Sequence, residues 1–173
     1  MKDRELMNRR ANAVLLSLLT AVSSPSIHAQ QTVEAPDSTG KPFWEVVIGP
    51  FAVHWSNGDE HKHVFLLGIE RTRADNVIWG FSAFSNSFGQ PSAYAYVGYR
   101  WDGLFGNSAI YAKISGGLLY GYKDEHAHDV PFNHEGFGLG IIPVFGYQVT
   151  PKDAVQIGVL GAAGFIFTYN RRF

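Results

Sequence analysis

Ala93-Tyr94-Ala95-Tyr96-Val97-Gly98-Tyr99-Arg100-Trp101 decides the fold. A β-strand turns successive side chains to opposite faces. Ala93, Ala95, Val97, Tyr99 and Trp101 therefore share one face, while Tyr94, Tyr96, Gly98 and Arg100 share the other. The next strand-like run repeats the division, with Ile110, Ala112, Ile114, Leu118 and Tyr120 opposed to Tyr111, Lys113 and Ser115. In both runs an apolar face backs onto a face that carries a charge. A closed sheet with Arg100 and Lys113 inside and the apolar set outside is arranged for lipid. A water-soluble, lipocalin-like barrel has the inverse order.

Working outward, segments of about ten residues recur from Trp44 to Phe173, the length a tilted membrane strand needs. Eight are expected, at about 45–55, 62–73, 76–86, 92–101, 108–122, 133–148, 153–161 and 164–173. An even count is usual for bacterial barrels. The predicted fold is all-β, an eight-stranded antiparallel transmembrane β-barrel over residues 44–173. The last run sets Phe165, Phe167, Tyr169 and Phe173 on one face, with Arg171 interrupting the row. It resembles the closing strand of outer-membrane barrels, whose terminal aromatic serves assembly.

The front of the chain has a different grammar. Lys2, Arg4, Arg9 and Arg10 outnumber Asp3 and Glu5, and an apolar stretch from Ala13 to Val22 follows. That stretch is too short for a spanning helix and suits a signal-peptide core. Ser23-Ser24-Pro25-Ser26 breaks it, and Ala29 offers a small residue for cleavage, so residues 1–29 are expected to be a signal peptide. Residues 30–43 read as a polar arm with Pro36, Gly40 and Pro42. What remains suffices for one domain. The 173 residues carry a formal net charge of −1 and no cysteine. Disulfides and thiolate zinc sites are thereby excluded, and the lack of a basic block argues against nucleic acid. No cofactor is expected. The 14% aromatic content and 19 glycines fit aromatic girdles and close strand contacts.

If both termini face the periplasm, the links near 74–76, 103–106 and 150–153 face it too, and those near 56–61, 87–91, 123–134 and 161–164 face outward. The outer links gather His, Asp, Glu, Ser and Asn, so chemistry is expected there. His54 ends the first strand and Ser85-Asn86-Ser87 ends the third, at the same rim. A histidine can take a proton from a hydroxyl and so support acyl transfer when the two are within hydrogen-bond reach. The bland alternative is a polar rim without chemistry.

His54, Ala83-Phe84-Ser85-Asn86-Ser87-Phe88, Val97-Gly98-Tyr99-Arg100-Trp101 and Ile142-Pro143-Val144-Phe145-Gly146-Tyr147 together resemble motifs of the outer-membrane lipid A palmitoyltransferase family. The resemblance spans most of 45–173. It implies a fatty acyl chain moved from a phospholipid donor to a lipid A acceptor in the outer membrane, by a protein acting as a monomer. It also implies a site of His54, Asn86 and Ser87. His54 would be general base, Ser87 a hydroxyl participant or nucleophile, and Asn86 the orienting group where the family has Asp. Arg100 aligns with the family's inward glycine that sets acyl length, and the family's N-terminal amphipathic helix has no counterpart in 30–42. Arg100 and Lys113, facing inward, are expected to obstruct a deep acyl pocket.

Three further readings come from the residues. His54-Trp55-Ser56-Asn57 is similar to the His-x-Ser-Asn stretch of outer-membrane lipid A deacylases, which suggests hydrolysis instead of transfer. His61 and His63, His126 and His128, and His134-Glu135 could bind a transition metal if the alternating pairs lie on extended segments. No dedicated metal site is expected, because solvated loop histidines are the commoner case. The non-enzymatic alternative is a structural or lipid-binding barrel.

Overall fold

The computed structural model describes residues 40–55 and 62–173. The expected signal peptide, most of the arm, Ser56, Asn57 and His61 lie outside the described residues.

Eight antiparallel strands close into a barrel in sequence order: β1 (Phe43–His54), β2 (Phe65–Thr72), β3 (Val77–Ser85), β4 (Pro91–Asp102), β5 (Ile110–Tyr120), β6 (Phe137–Gln148), β7 (Asp153–Val159) and β8 (Gly164–Arg172). Closure runs through β1 and β8, from Glu45 opposite Arg172 to His54 opposite Gly164. Gly164 is required there: its φ is +151°, and a Cβ would meet the Val53 carbonyl. β1 begins and β8 finishes at one end of the barrel, here the terminus end; the links after β1, β3, β5 and β7 lie at the opposite, loop end. The expected sorting of links between two ends therefore holds.

The largest departure from the expected boundaries is β6, which starts at Phe137 instead of about 133. His134 and Phe137 exchange backbone hydrogen bonds of 2.7 and 2.9 Å, and that tight turn, with Glu135 and Gly136 at positive φ, ends the loop before the strand begins.

The faces read from the sequence are those observed. Val97, Tyr99, Trp101, Ile114 and Leu118 are exposed, while Tyr94, Arg100, Tyr111, Lys113 and Ser115 are buried. Outward aromatics meet near both ends. Trp44 and Trp79 touch edge-on at 5.0 Å toward the terminus end, and Trp55 and Phe165 at 4.5 Å toward the loop end.

The interior is polar toward the terminus end. Lys113 Nζ donates to Glu45 Oε1 at 2.6 Å and also to Glu70. Asn170 Nδ2 donates to Glu45 Oε1 at 2.8 Å, and Tyr96 Oη to Glu70 Oε2 at 2.8 Å. Arg100 pairs with Asp102 at 2.8 Å and lies 3.5 Å above the ring of Tyr111. Tyr111 fits because Gly146 opposite it has no side chain; a Cβ there would meet the ring. Each interior charge thus has a partner of opposite sign or an aromatic face, as burial demands.

Two ladders stop short at the loop end. β1 pairs with β2 only as far as Gly49 opposite Leu66, although β1 continues to His54. β6 pairs with β7 only up to Val144 opposite Gly158, although β6 starts at Phe137. Pro50 and Pro143, which have no N–H to give a ladder, stand at these two places.

Candidate active site

The position of His54 depends on a defect in β1. Strict alternation from the buried Glu45, Val47 and Gly49 would turn position 53 inward and position 54 outward. Against β8, however, Ile48 pairs with Tyr169 and Phe51 with Phe167, so β1 carries one extra residue at Gly49-Pro50. A bulge of this kind reverses the parity of everything beyond it and commonly re-aims a side chain. Phe51, Val53 and Trp55 are consequently exposed, and Ala52 and His54 turn inward. Gly-Pro inside a strand pattern was the available signal for this bulge, and alternation alone misses it.

Turned inward, His54 places Nε2 2.5 Å from Ser87 Oγ. With the ring proton on Nδ1, Nε2 accepts the serine hydroxyl proton, the contact a base needs to activate a nucleophile. Ser87 is held by its own loop and by the link ahead of β2: Asn86 N donates to Gln90 O at 3.0 Å and Gly89 N to Asn86 O at 2.9 Å, while Lys62 N donates to Ser87 O at 2.7 Å.

Asn86 is buried beside this pair but serves another purpose. Its Oδ1 accepts from Phe88 N at 3.0 Å and Gln90 N at 2.9 Å. Its Nδ2 donates to Gln90 Oε1 at 3.3 Å and to Gly121 O at 3.4 Å. These four bonds use the full capacity of the amide, so it has none left to orient the imidazole. The role expected for Asn86 is corrected accordingly: it shapes the turn that presents Ser87 and ties that turn to the end of β5.

The loop between β5 and β6 completes the rim. Gln90 Nε2 donates to Lys123 O at 3.5 Å and Lys123 N to Gln90 Oε1 at 3.2 Å, while His126 stacks on Phe88 at 3.5 Å. Burial, with the Asp129 carboxylate adding to it, pushes the Tyr122 hydroxyl up to about 12, so it is un-ionised at neutral pH.

At mid-height in the interior lies a cavity of about 80 Å³, walled by Val47, Leu66, Ile78, Ile142, Val144 and Ile166, with Ser82, Ser115, Gln156 and Thr168 among them. Tyr96, Glu70 and Lys113 also border it, and they belong to the charged network of the terminus end. Lys113 is therefore at the boundary of the apolar space, and Arg100 lies with Tyr111 and Asp102 instead of lining the cavity. The expected obstruction by these two residues is thus confined to the terminus end.

The alternating-histidine reading is corrected for His126 and His128. Asp124–Asp129 is a 3-10 helix, where residues two apart do not share a side. His126 is occupied by Phe88, Glu125 and Asp129, and His128 points to solvent. Among the described residues no three His, Asp or Glu side chains converge as a metal site would need. In the His-x-Ser-Asn stretch, Trp55 is turned outward onto Phe165, and the Ser and Asn lie outside the described residues.

No family model matches the chain, and no curated protein matches it.

Proposed function

We propose that the chain is an outer-membrane β-barrel that transfers a fatty acyl group from a phospholipid to a lipopolysaccharide-type acceptor. The observation that carries this reading is the His54 Nε2 to Ser87 Oγ contact of 2.5 Å, made at the loop end of a barrel whose outer face is mainly apolar. Exposed Phe, Trp, Val, Leu and Ile on all sides far exceed what a water-soluble monomer leaves open. A closed barrel satisfies the backbone in hydrocarbon, which makes lipid the natural surroundings. The loop end then faces outward, where lipid A resides.

In this scheme Ser87 Oγ attacks the ester carbonyl of the donor while His54 takes its proton. The ester C–O bond breaks and His54 returns the proton to the departing lysophospholipid oxygen. A hydroxyl of the acceptor, deprotonated in turn by His54, takes the acyl group from Ser87 and restores the serine. The interior cavity has room for only a few methylenes of the acyl chain, and the two short ladders, where Pro50 and Pro143 stand, offer places for that chain to pass between strands.

Mass spectrometry of lipid A from cells with and without the protein is the direct test. Gain of one acyl chain is expected. Loss of a chain would convert the reading to deacylation, and an unchanged spectrum would leave a non-enzymatic barrel. Deleting Pro50 tests the placement of His54 separately. With the extra residue and its bulge gone together, regular alternation from Gly49 runs through Phe51 outward, Ala52 inward and Val53 outward to His54 inward, so the barrel should assemble and transfer should survive. A deletion variant that assembles but has lost all transfer refutes the assignment of Pro50 as the residue the bulge absorbs.

A further inference from the structure

Phe132, in the loop between β5 and β6, combines two costly features. Its side chain is 85% exposed, and its φ is +55°, a conformation that bulky residues adopt only under constraint. The constraint is visible. Asn133 Nδ2 donates to Tyr122 O at 2.8 Å, and Asn133 Oδ1 accepts from Gly136 N at 3.0 Å. Leu139 N donates to Pro131 O at 3.0 Å, and His134 bridges to Phe137. These bonds run 131–134 antiparallel to the start of β6, along the edge that β7 does not reach. Phe132 therefore stands level with Phe137 and Leu139, both exposed on the outer face, instead of above the rim. Val130, by contrast, is buried against Gly138. The segment sends one apolar side chain inward and one outward.

We propose that Phe132 is a lipid anchor, inserting its ring among the acyl chains of the outer leaflet and thereby pinning the loop that borders the site. This rests on the membrane-barrel reading above. The backbone pairing sets Phe132 beside the start of the exposed apolar face of β6, where Ile141 is 70% exposed, whereas the rest of the loop tip, Asn133, His134 and Glu135, is polar. A large apolar side chain held open at that level by five specific hydrogen bonds gains nothing in water and is stabilised in hydrocarbon.

The chain has no cysteine, so single-site spin labels are clean reporters. Phe132→Cys, Ile141→Cys and His128→Cys would each be labelled in the full barrel, reconstituted in phosphatidylethanolamine–phosphatidylglycerol vesicles. Collision with oxygen, which partitions into hydrocarbon, is compared with collision with a water-soluble nickel chelate. The label at 132 should favour oxygen, as at 141, while that at 128, on an exposed residue of the same loop, should favour nickel. If position 132 behaves like 128 while 141 remains in lipid, the anchor is wrong and the membrane reading stands. If position 141 itself meets the nickel chelate, the membrane reading fails and the anchor with it.

Discussion

Lys113→Met should destabilise the barrel by about 3–5 kcal/mol, the cost of removing one partner from a buried ion pair. Lys113 is the sole cation touching Glu45 and Glu70 among the described residues, and all three side chains are buried. Without the ammonium, two carboxylates face each other in a space with little water. Asn170 and Tyr96 would still donate to them, but neither supplies a compensating charge. The methionine itself fits, since it replaces an unbranched chain of similar length. The loss should therefore be electrostatic, and the triple variant Glu45→Gln, Glu70→Gln, Lys113→Met should recover most of it, because removing every charge together leaves no uncompensated ion. Urea unfolding in detergent micelles, followed by tryptophan fluorescence, gives both numbers. A single variant within about 1 kcal/mol of the parent would show that water or protonation already relieves the site, and would undo this account.

The same cluster shows how far the sequence could be read. Lys113 and Arg100 are legible as inward residues because strand alternation is a local property with period two. Their partners are not. Glu45 lies on β1 and Glu70 on β2, and only closure of the barrel brings them to β5. Read without partners, the two cations look like obstacles to an interior pocket; with partners, they mark the end of an apolar space. His54 makes the complementary point. That His54 and Ser87 share a rim follows from strand count and direction alone. That they touch depends on the bulge that absorbs one extra residue at Gly49-Pro50; with the same residues in strict alternation, His54 would face outward. A bulge is a departure from the period and so is invisible to an argument built on the period. Asn86 matches a motif only by resemblance, and its hydrogen bonds are spent on the turn from Asn86 to Gln90, whose backbone path a sequence does not show.

His54→Ala and Ser87→Ala should each lower the rate of acyl transfer by roughly 10²–10⁴, the range that a positioned proton-transfer group supplies. The two losses should not multiply. A serine without its base is a poor nucleophile, and a base without its serine has nothing to deprotonate in the first step, so the double variant should be about as slow as the worse single one. Asn86→Ala should act differently. It removes the oxygen that accepts both turn bonds, and the tie to Gly121, so it should loosen Ser87 and lower thermal stability along with the rate. Purified barrel in detergent, given a phospholipid donor and lipid A, measures the rates, and far-ultraviolet circular dichroism on heating separates folding from chemistry. Wild-type rates in either alanine variant would remove that residue from the site. A slow His54→Ala beside an unchanged Ser87→Ala has a specific meaning. It would make the acceptor hydroxyl the nucleophile, deprotonated directly by His54, and the transfer would then pass in one step without an acyl-serine.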